Sequence, residues 1–344
     1  MSKLDPLDWA LICELCGNAR MPFKALARKL GISSNTVKNR INRLHKQKVI
    51  VGFGVLVSME MLGAEHVLGV IATDGTEKVM EFIKQIVAKW PIVNEIYRTS
   101  DRRYEYWARV SGASETLGFK MYLEGLDGVT DVEMRPVVYL SPNMSPNSVM
   151  NTRGKKVLFT QHQLRVLRCL YQDARLPVSQ IAQQTGFTPR RVRKILRELE
   201  EGGGIHFVVG FDPFALGDME YRLKICYDET ETTGPDIILG LYEKYPEAFW
   251  WATITTNQPI IDVGLLIDRP GKGMPIIQNL KEAPFIKSIE DFVSYPRVVS
   301  NISTLRRKLE EILIEAGLLT ESDIIRKSPT LIDKKTQDSV ENKL

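Results

Sequence analysis

The chain has 344 residues, 44% of them hydrophobic and 26% charged, and a net charge of +4. That length is too great for one small core and predicts two to four folded units of ordinary globular composition. No apolar run approaches the roughly 18 residues of a spanning helix, and the start, MSKLDPLDWALICELC, mixes acids with apolar residues and has no cleavage pattern, so a cytoplasmic protein without membrane contact is expected.

Charge is uneven along the chain. Residues 1–55 hold ten Lys/Arg against three Asp/Glu, residues 157–211 hold eight against four, and the remainder is net acidic. Positive charge concentrated in two short segments points to a polyanionic partner.

Taken in order, Trp9, Ile12, Leu15 and Cys16 give one apolar face of a first helix. Cys13 and Cys16 form a CxxC, but no second ligand pair follows, so buried thiols are expected rather than a metal site, and no cofactor. Pro22 marks the start of a second helix with Phe23, Leu26, Ala27 and Leu30 inward, and Gly31 ends it. Ser33 or Ser34 then caps a third helix that turns Val37, Ile41 and Leu44 inward. Helix, glycine turn and helix make a helix-turn-helix. The outer face of the third helix offers donors for a DNA groove: Ser34, Asn35, Thr36 and Lys38 near its start for base edges, Asn39 beside them, and Arg40, Arg43, Lys46 and Lys48 for phosphates. A short apolar strand pair should follow, completing a winged domain over 1–58.

Residues 62–140 read strand, helix, strand, strand, helix, strand, with strands near 66–73, 92–99, 103–111 and 129–139 and helices near 76–89 and 114–125, the order of a ferredoxin-like unit. The stretch 141–156 is rich in Pro, Asn and Ser and reads as a linker.

The pattern then repeats. Residues 174–205 align without a gap on 19–50 with eight of 32 positions identical, among them Arg20/Arg175, Gly31/Gly186, Val37/Val192 and Leu44/Leu199. A tandem duplication follows. A second winged domain is expected over 157–213 and a second ferredoxin-like domain over 216–297, with strands near 220–228, 249–256, 260–267 and 285–295 and helices near 235–245 and 272–282. The second recognition helix starts at Thr188-Pro189 and has a basic front of Arg190, Arg191, Arg193, Lys194 and Arg197. Glu198, Glu200 and Glu201 follow it, and Gly202-Gly203-Gly204 replace Gln47-Lys48-Val49, which predicts weaker DNA binding or a packing role. A helix over 298–320 carries a Leu/Ile stripe suited to associating two chains, and 321–344 should be a disordered tail. The fold class is α+β, two winged helix-turn-helix domains alternating with two ferredoxin-like (βαββαβ) domains.

The residues Arg20, Leu26-Ala27, Gly31-Ile32-Ser33, Val37, Arg40-Ile41, Leu44, Val49-Ile50, Gly52 and Leu62-Gly63 resemble the leucine-responsive regulatory protein/AsnC family of prokaryotic transcription regulators, over about 1–140 and, more diverged, 157–297. The resemblance implies sequence-specific binding to double-stranded DNA, dimers formed through the ferredoxin-like sheets (here a homodimer or an internal pseudo-dimer of the two halves), no enzymatic activity, and a small-molecule effector at a Thr-Gly-x-Asp-like hairpin. Thr99-Ser100-Asp101 stands at that hairpin without the glycine. The tandem architecture also resembles siroheme decarboxylases, whose strand pair corresponds to Ile92–Arg98 and Tyr104–Trp107, with Glu95 where that family has a histidine. Such an enzyme, or an interaction module that does not bind DNA, are the alternative readings.

Overall fold

The computed structural model describes residues 4–140, 154–216, 219–294, 298–299 and 304–324. Most of the expected linker and the tail beyond 324 lie outside the described residues.

The first three helices are α1 (Pro6–Gly17), α2 (Phe23–Leu30) and α3 (Ser34–Lys46). Asp5 caps α1 by accepting from the Leu7 amide, and Gly31, at φ +66°, supplies the left-handed residue that ends α2. One strand follows, β1 (Ile50–Val57), then the short α4 (Met59–Leu62). The second copy gives α7 (Gln161–Leu170), α8 (Val178–Thr185), α9 (Pro189–Glu201) and β6 (Ile205–Phe211). Lys48 and Gly203, which stand at equivalent places after α3 and α9, both have positive φ, +60° and +70°. The glycine triplet therefore keeps the same turn rather than replacing it.

The expected strand pair within each winged domain is absent from the described residues. Instead β1 pairs antiparallel with β6 of the other copy, Gly54 facing Val208, its counterpart. A local pseudo-dyad thus runs through this ribbon. The Ala19 amide donates to the Phe207 carbonyl and the Ala174 amide to the Phe53 carbonyl, both at 3.2 Å. The two helix-turn-helix units form one head.

Each ferredoxin-like unit contributes four strands and two helices. The first has β2 (Glu65–Thr73), α5 (Val79–Lys89), β3 (Val93–Arg98), β4 (Tyr104–Val110), α6 (Gly112–Glu124) and β5 (Val129–Leu140). The second has β7 (Met219–Tyr227), α10 (Gly234–Lys244), β8 (Phe249–Thr255), β9 (Ile260–Ile267), α11 (Met274–Lys281) and β10 (Ile286–Ser294). Their strand orders, β5-β2-β4-β3 and β10-β7-β9-β8, are the same, and β5 pairs with β8 to join them. The opposite join is formed by β11 (Val298–Val299) on β3 and by a bridge from Thr99 to Ser294. In both joins the last strand of one copy meets the second strand of the other.

Strand alternation sends Tyr104, Tyr106 and Ala108, and in the second unit Ile261, Val263 and Leu265, into cores capped by the helices. The opposite faces of the two sheets meet each other, and there the side chains are largely polar. Arg222 bonds Glu105 of the other unit and, at 3.1 Å, Glu220 of its own. Arg135 reaches Asp262 at 3.0 Å, and the Trp107 and Trp251 rings meet edge to face at 5.1 Å. Here burial pushes the Glu105 carboxyl up to about 7, against the opposing pull of Arg222.

The last helix, α12 (Thr304–Glu315), does not leave its apolar stripe for a second chain. Leu305, Leu309 and Leu313 are fully buried in a core that the second helix-turn-helix unit shares with β1 and α4 of the first copy, each contributing ~1.5–3 kcal/mol by burial. Tyr171 donates to Glu310 at 2.5 Å and Arg168 to the Leu318 carbonyl at 2.9 Å, fixing the helix there.

Candidate nucleic-acid interface

The recognition helix α3 is held by the first head core. Ser33 caps it, accepting from the Thr36 amide at 3.0 Å, and Val37, Ile41 and Leu44 are buried with Trp9, Leu11, Ile12, Leu15 and Leu26. That packing leaves Asn35, Lys38, Asn39, Asn42, Arg43, Lys46 and Lys48 exposed and Ser34, Thr36 and Arg40 half-buried. The candidates for base reading thus share the solvent face at the helix start.

Arg40 and Arg43, which helical spacing assigns to phosphates, are occupied from within. Arg40 Nη1 donates to Asp8 at 2.8 Å and to Asp5 at 3.0 Å, and Arg43 donates to the other Asp8 oxygen. Asp8 is buried, and among the described residues its ion-pair partners are these two cations. The hydrogen bond from Arg40, followed by that from the Leu7 amide, holds the Asp5 carboxyl below the usual carboxylate range. The pairing of α1 with α3 escapes a reading of the sequence because Asp8 lies more than thirty residues earlier; two acids at a helix start, facing a basic helix, are the available signal.

On α9 Thr188 caps the helix, accepting from the Arg191 amide at 3.2 Å, and Val192, Ile195, Leu196 and Leu199 are buried. Arg190, Arg191, Arg193, Lys194 and Arg197 are all exposed. Arg191 meets the His162 ring at 3.2 Å, and Lys194 lies 3.8 Å from Glu198. Glu200 instead lies beside the first copy, where burial raises its carboxyl pKa against the opposing pull of Asn18 and Arg20. The acids expected to oppose phosphate therefore sit at the far end of α9, one of them beside the first copy.

The hairpin expected to hold an effector is engaged by the other half of the chain. The Ser100 amide donates to the Val293 carbonyl at 2.9 Å, and the Val293 amide donates to Ser100 Oγ at 3.0 Å. Thr99 is buried and its hydroxyl serves Asp101 and the Arg103 carbonyl, while Arg103 Nε donates to Asp101 at 2.7 Å. Burial raises both Cys13 and Cys16 thiols to about 12, so neither is a thiolate at neutral pH. Among the described residues, no group of three or more His, Cys, Asp and Glu is placed to hold a metal, and no helix is long and apolar enough to cross a membrane.

Residues 4–45 match the AsnC-type helix-turn-helix domain, and residues 159–205 match a winged helix-turn-helix DNA-binding domain. The proline dehydrogenase transcriptional activator of Rhodobacter capsulatus is 35% identical over 96 residues, 27% of this chain and 62% of that protein. The chain therefore spans less than two thirds of that relative. The HTH-type transcriptional regulator LrpA of Pyrococcus horikoshii is 28% identical over 132 residues, 38% of this chain and 92% of LrpA. The chain thus carries an AsnC-type helix-turn-helix domain and, over its first part, is similar to HTH-type transcription regulators that include LrpA. As a whole this chain superposes on the crystal structure of the siroheme decarboxylase NirDL with a TM-score of 0.52, covering 90% of this chain and 99% of that one at 12% identity. At that identity the likeness is one of fold: two such halves joined as one body also occur in another protein.

Proposed function

We propose that the chain is a cytoplasmic, sequence-specific DNA-binding transcription regulator that meets duplex DNA with α3 and α9 from its single pseudo-symmetric head. The observation that carries this reading is that both capped third helices of the head turn their polar, donor-rich faces to solvent, as groove reading requires. The reading assigns base contacts to Ser34, Asn35, Thr36, Lys38 and Asn39, and phosphate contacts to Lys46, Lys48 and the basic residues of α9. A small-molecule response is assigned to the Thr99–Asp101 hairpin, because a ligand there would act on the contact between the halves. Incubating the full chain with fragmented genomic DNA of its source and sequencing what is retained tests this: a shared short sequence is expected, and retained DNA indistinguishable from input contradicts it.

The decarboxylase alternative is supported by shared architecture alone. Acid–base work on carboxylates needs convergent proton carriers, whereas His45, His66, His162 and His206 stand on α3, β2, α7 and β6. Burial depresses the His206 pKa and keeps that ring neutral. Porphyrin-type absorbance in purified protein would favour the enzyme over the regulator.

A further inference from the structure

A dyad-related pair of identical recognition helices selects a site with the same symmetry, so dimeric regulators meet palindromes. Here the dyad is carried by one chain, through the β1–β6 ribbon in which Gly54 faces Val208, and the duplicated helices it relates have diverged.

Their free chemistries differ. On α3 the exposed front carries the amides Asn35, Asn39 and Asn42 beside Lys38 and Lys46, and both arginines are held by Asp5 and Asp8. An amide side chain offers a donor and an acceptor together, the pattern that matches the adenine edge in a major groove. The front of α9 carries no amide. It carries four arginines and a lysine, all exposed, and the one carboxylate partner found for those five side chains in the described residues is Glu198, 3.8 Å from Lys194. Pro189 at the helix start removes a backbone donor but leaves the positive end of the helix dipole facing outward with these cations.

We propose that the chain recognises an asymmetric duplex: α9 fastens one half-site mainly through phosphates, and α3 reads the base sequence of the other. This rests on the DNA-binding reading above and deepens it. It also reverses the ranking expected from sequence, in which the acids after α9 made the second unit the weaker partner; the larger share of free positive charge lies on α9.

The test uses the full chain and duplexes selected from a random-sequence pool, with binding measured across a salt series. The selected sites should lack inverted-repeat symmetry. Replacing Arg190, Arg191 and Arg193 together by Gln should lower affinity for selected and unselected duplexes alike and flatten the slope of log affinity on log salt by about 2 to 3, near 0.9 for each phosphate no longer neutralised. Asn35→Ala with Asn39→Ala should leave that slope within error and reduce the preference for the selected duplex about tenfold or more, a bidentate amide–base pair being worth ~1–3 kcal/mol. All these side chains are exposed, so melting temperatures should match the parent and certify folding. Palindromic selected sites, or equal slope changes from the two variants, would overturn the division of roles while leaving DNA binding intact. Failure to bind any duplex would instead remove the DNA reading, and this inference with it.

Discussion

Arg20 and Arg175, equivalent residues of the two copies, each reach across the head to the other's backbone: Arg20 donates to the Ala174 and Leu176 carbonyls, and Arg175 to the Ala19 and Met21 carbonyls. Arg175 also lies over the Phe23 ring at 4.6 Å, and Arg20 over Phe207 at 5.6 Å. Burial lowers the pKa of both guanidiniums, but they remain charged at any ordinary pH. These bonds lock the relative position of the two helix-turn-helix units. Arg20→Met or Arg175→Met should each cost about 1.5–3 kcal/mol, the range for hydrogen bonds to a charged group. The double variant should differ from the sum because both sites share one interface. Urea denaturation of the three variants checks this.

The Asp8 carboxylate sets the pose of α3. Asp8→Asn keeps the shape but removes the charge that holds Arg40 and Arg43. A loss of ~1.5–3 kcal/mol is expected, discounted for the half-exposed Arg43. Freed guanidiniums should at the same time strengthen binding to unselected duplex DNA at low salt. Thermal melting together with nonspecific DNA titration would show both effects, and weaker nonspecific binding would count against the tethering role.

Between the sheets, Glu105 shares Arg222 with Glu220 and accepts from the Tyr97 hydroxyl at 2.7 Å. With its carboxyl pushed up to about 7 by burial, the folded chain holds a proton there that the unfolded chain, near 4.5, has released. Stability falls with pH wherever the folded state binds more protons. This group's contribution is therefore greatest below about pH 4.5 and declines as pH rises towards 7. Glu105→Gln should flatten that decline, so the melting temperatures of parent and variant should diverge between pH 5 and pH 8. Parallel curves would show that Glu105 does not titrate in this range.

Gly264 lies opposite Trp251 on neighbouring strands, and a Cβ there would overlap the indole. Gly264→Ala must displace the ring that stacks on Arg222 at 4.4 Å and meets Trp107. An overpacking cost of ~1–3 kcal/mol is expected, with a changed near-ultraviolet circular dichroism signal from the tryptophan pair. An unaltered spectrum would mean that the ring is not confined.

Local pattern made most elements legible. The Ile/Val-rich runs of β2 and β9, the glycine turns at Gly31 and Gly186, and the caps Ser33 and Thr188 all stand where composition and spacing put them. What sequence could not reveal was long-range partnership. The strand after α3 looked like half of a local wing because nothing in Ile50–Val57 says that its partner is Ile205–Phe211. Glu105, Arg135, Arg222 and Asp262 alternate with core residues as a solvated strand face would, yet they are buried against one another. The stripe of α12 resembled a dimer surface because its true partners, the second head unit together with β1 and α4 of the first copy, are distant in sequence. At the candidate interface the exposed rows of α3 and α9 were legible from helical spacing, whereas the capture of Arg40 by Asp8 required coordinates.

The most direct test of the central claim, that a duplex lies on the two exposed helices of one head, is the salt dependence of binding to an unselected duplex by the full chain. The account predicts a steep linear fall of log affinity with log salt, about 0.9 per phosphate engaged, made shallower when Lys46, Lys48, Arg190, Arg191 and Arg193 are replaced by Gln. Affinity indifferent to salt, or a slope unmoved by those five replacements in a chain that melts normally, would contradict it.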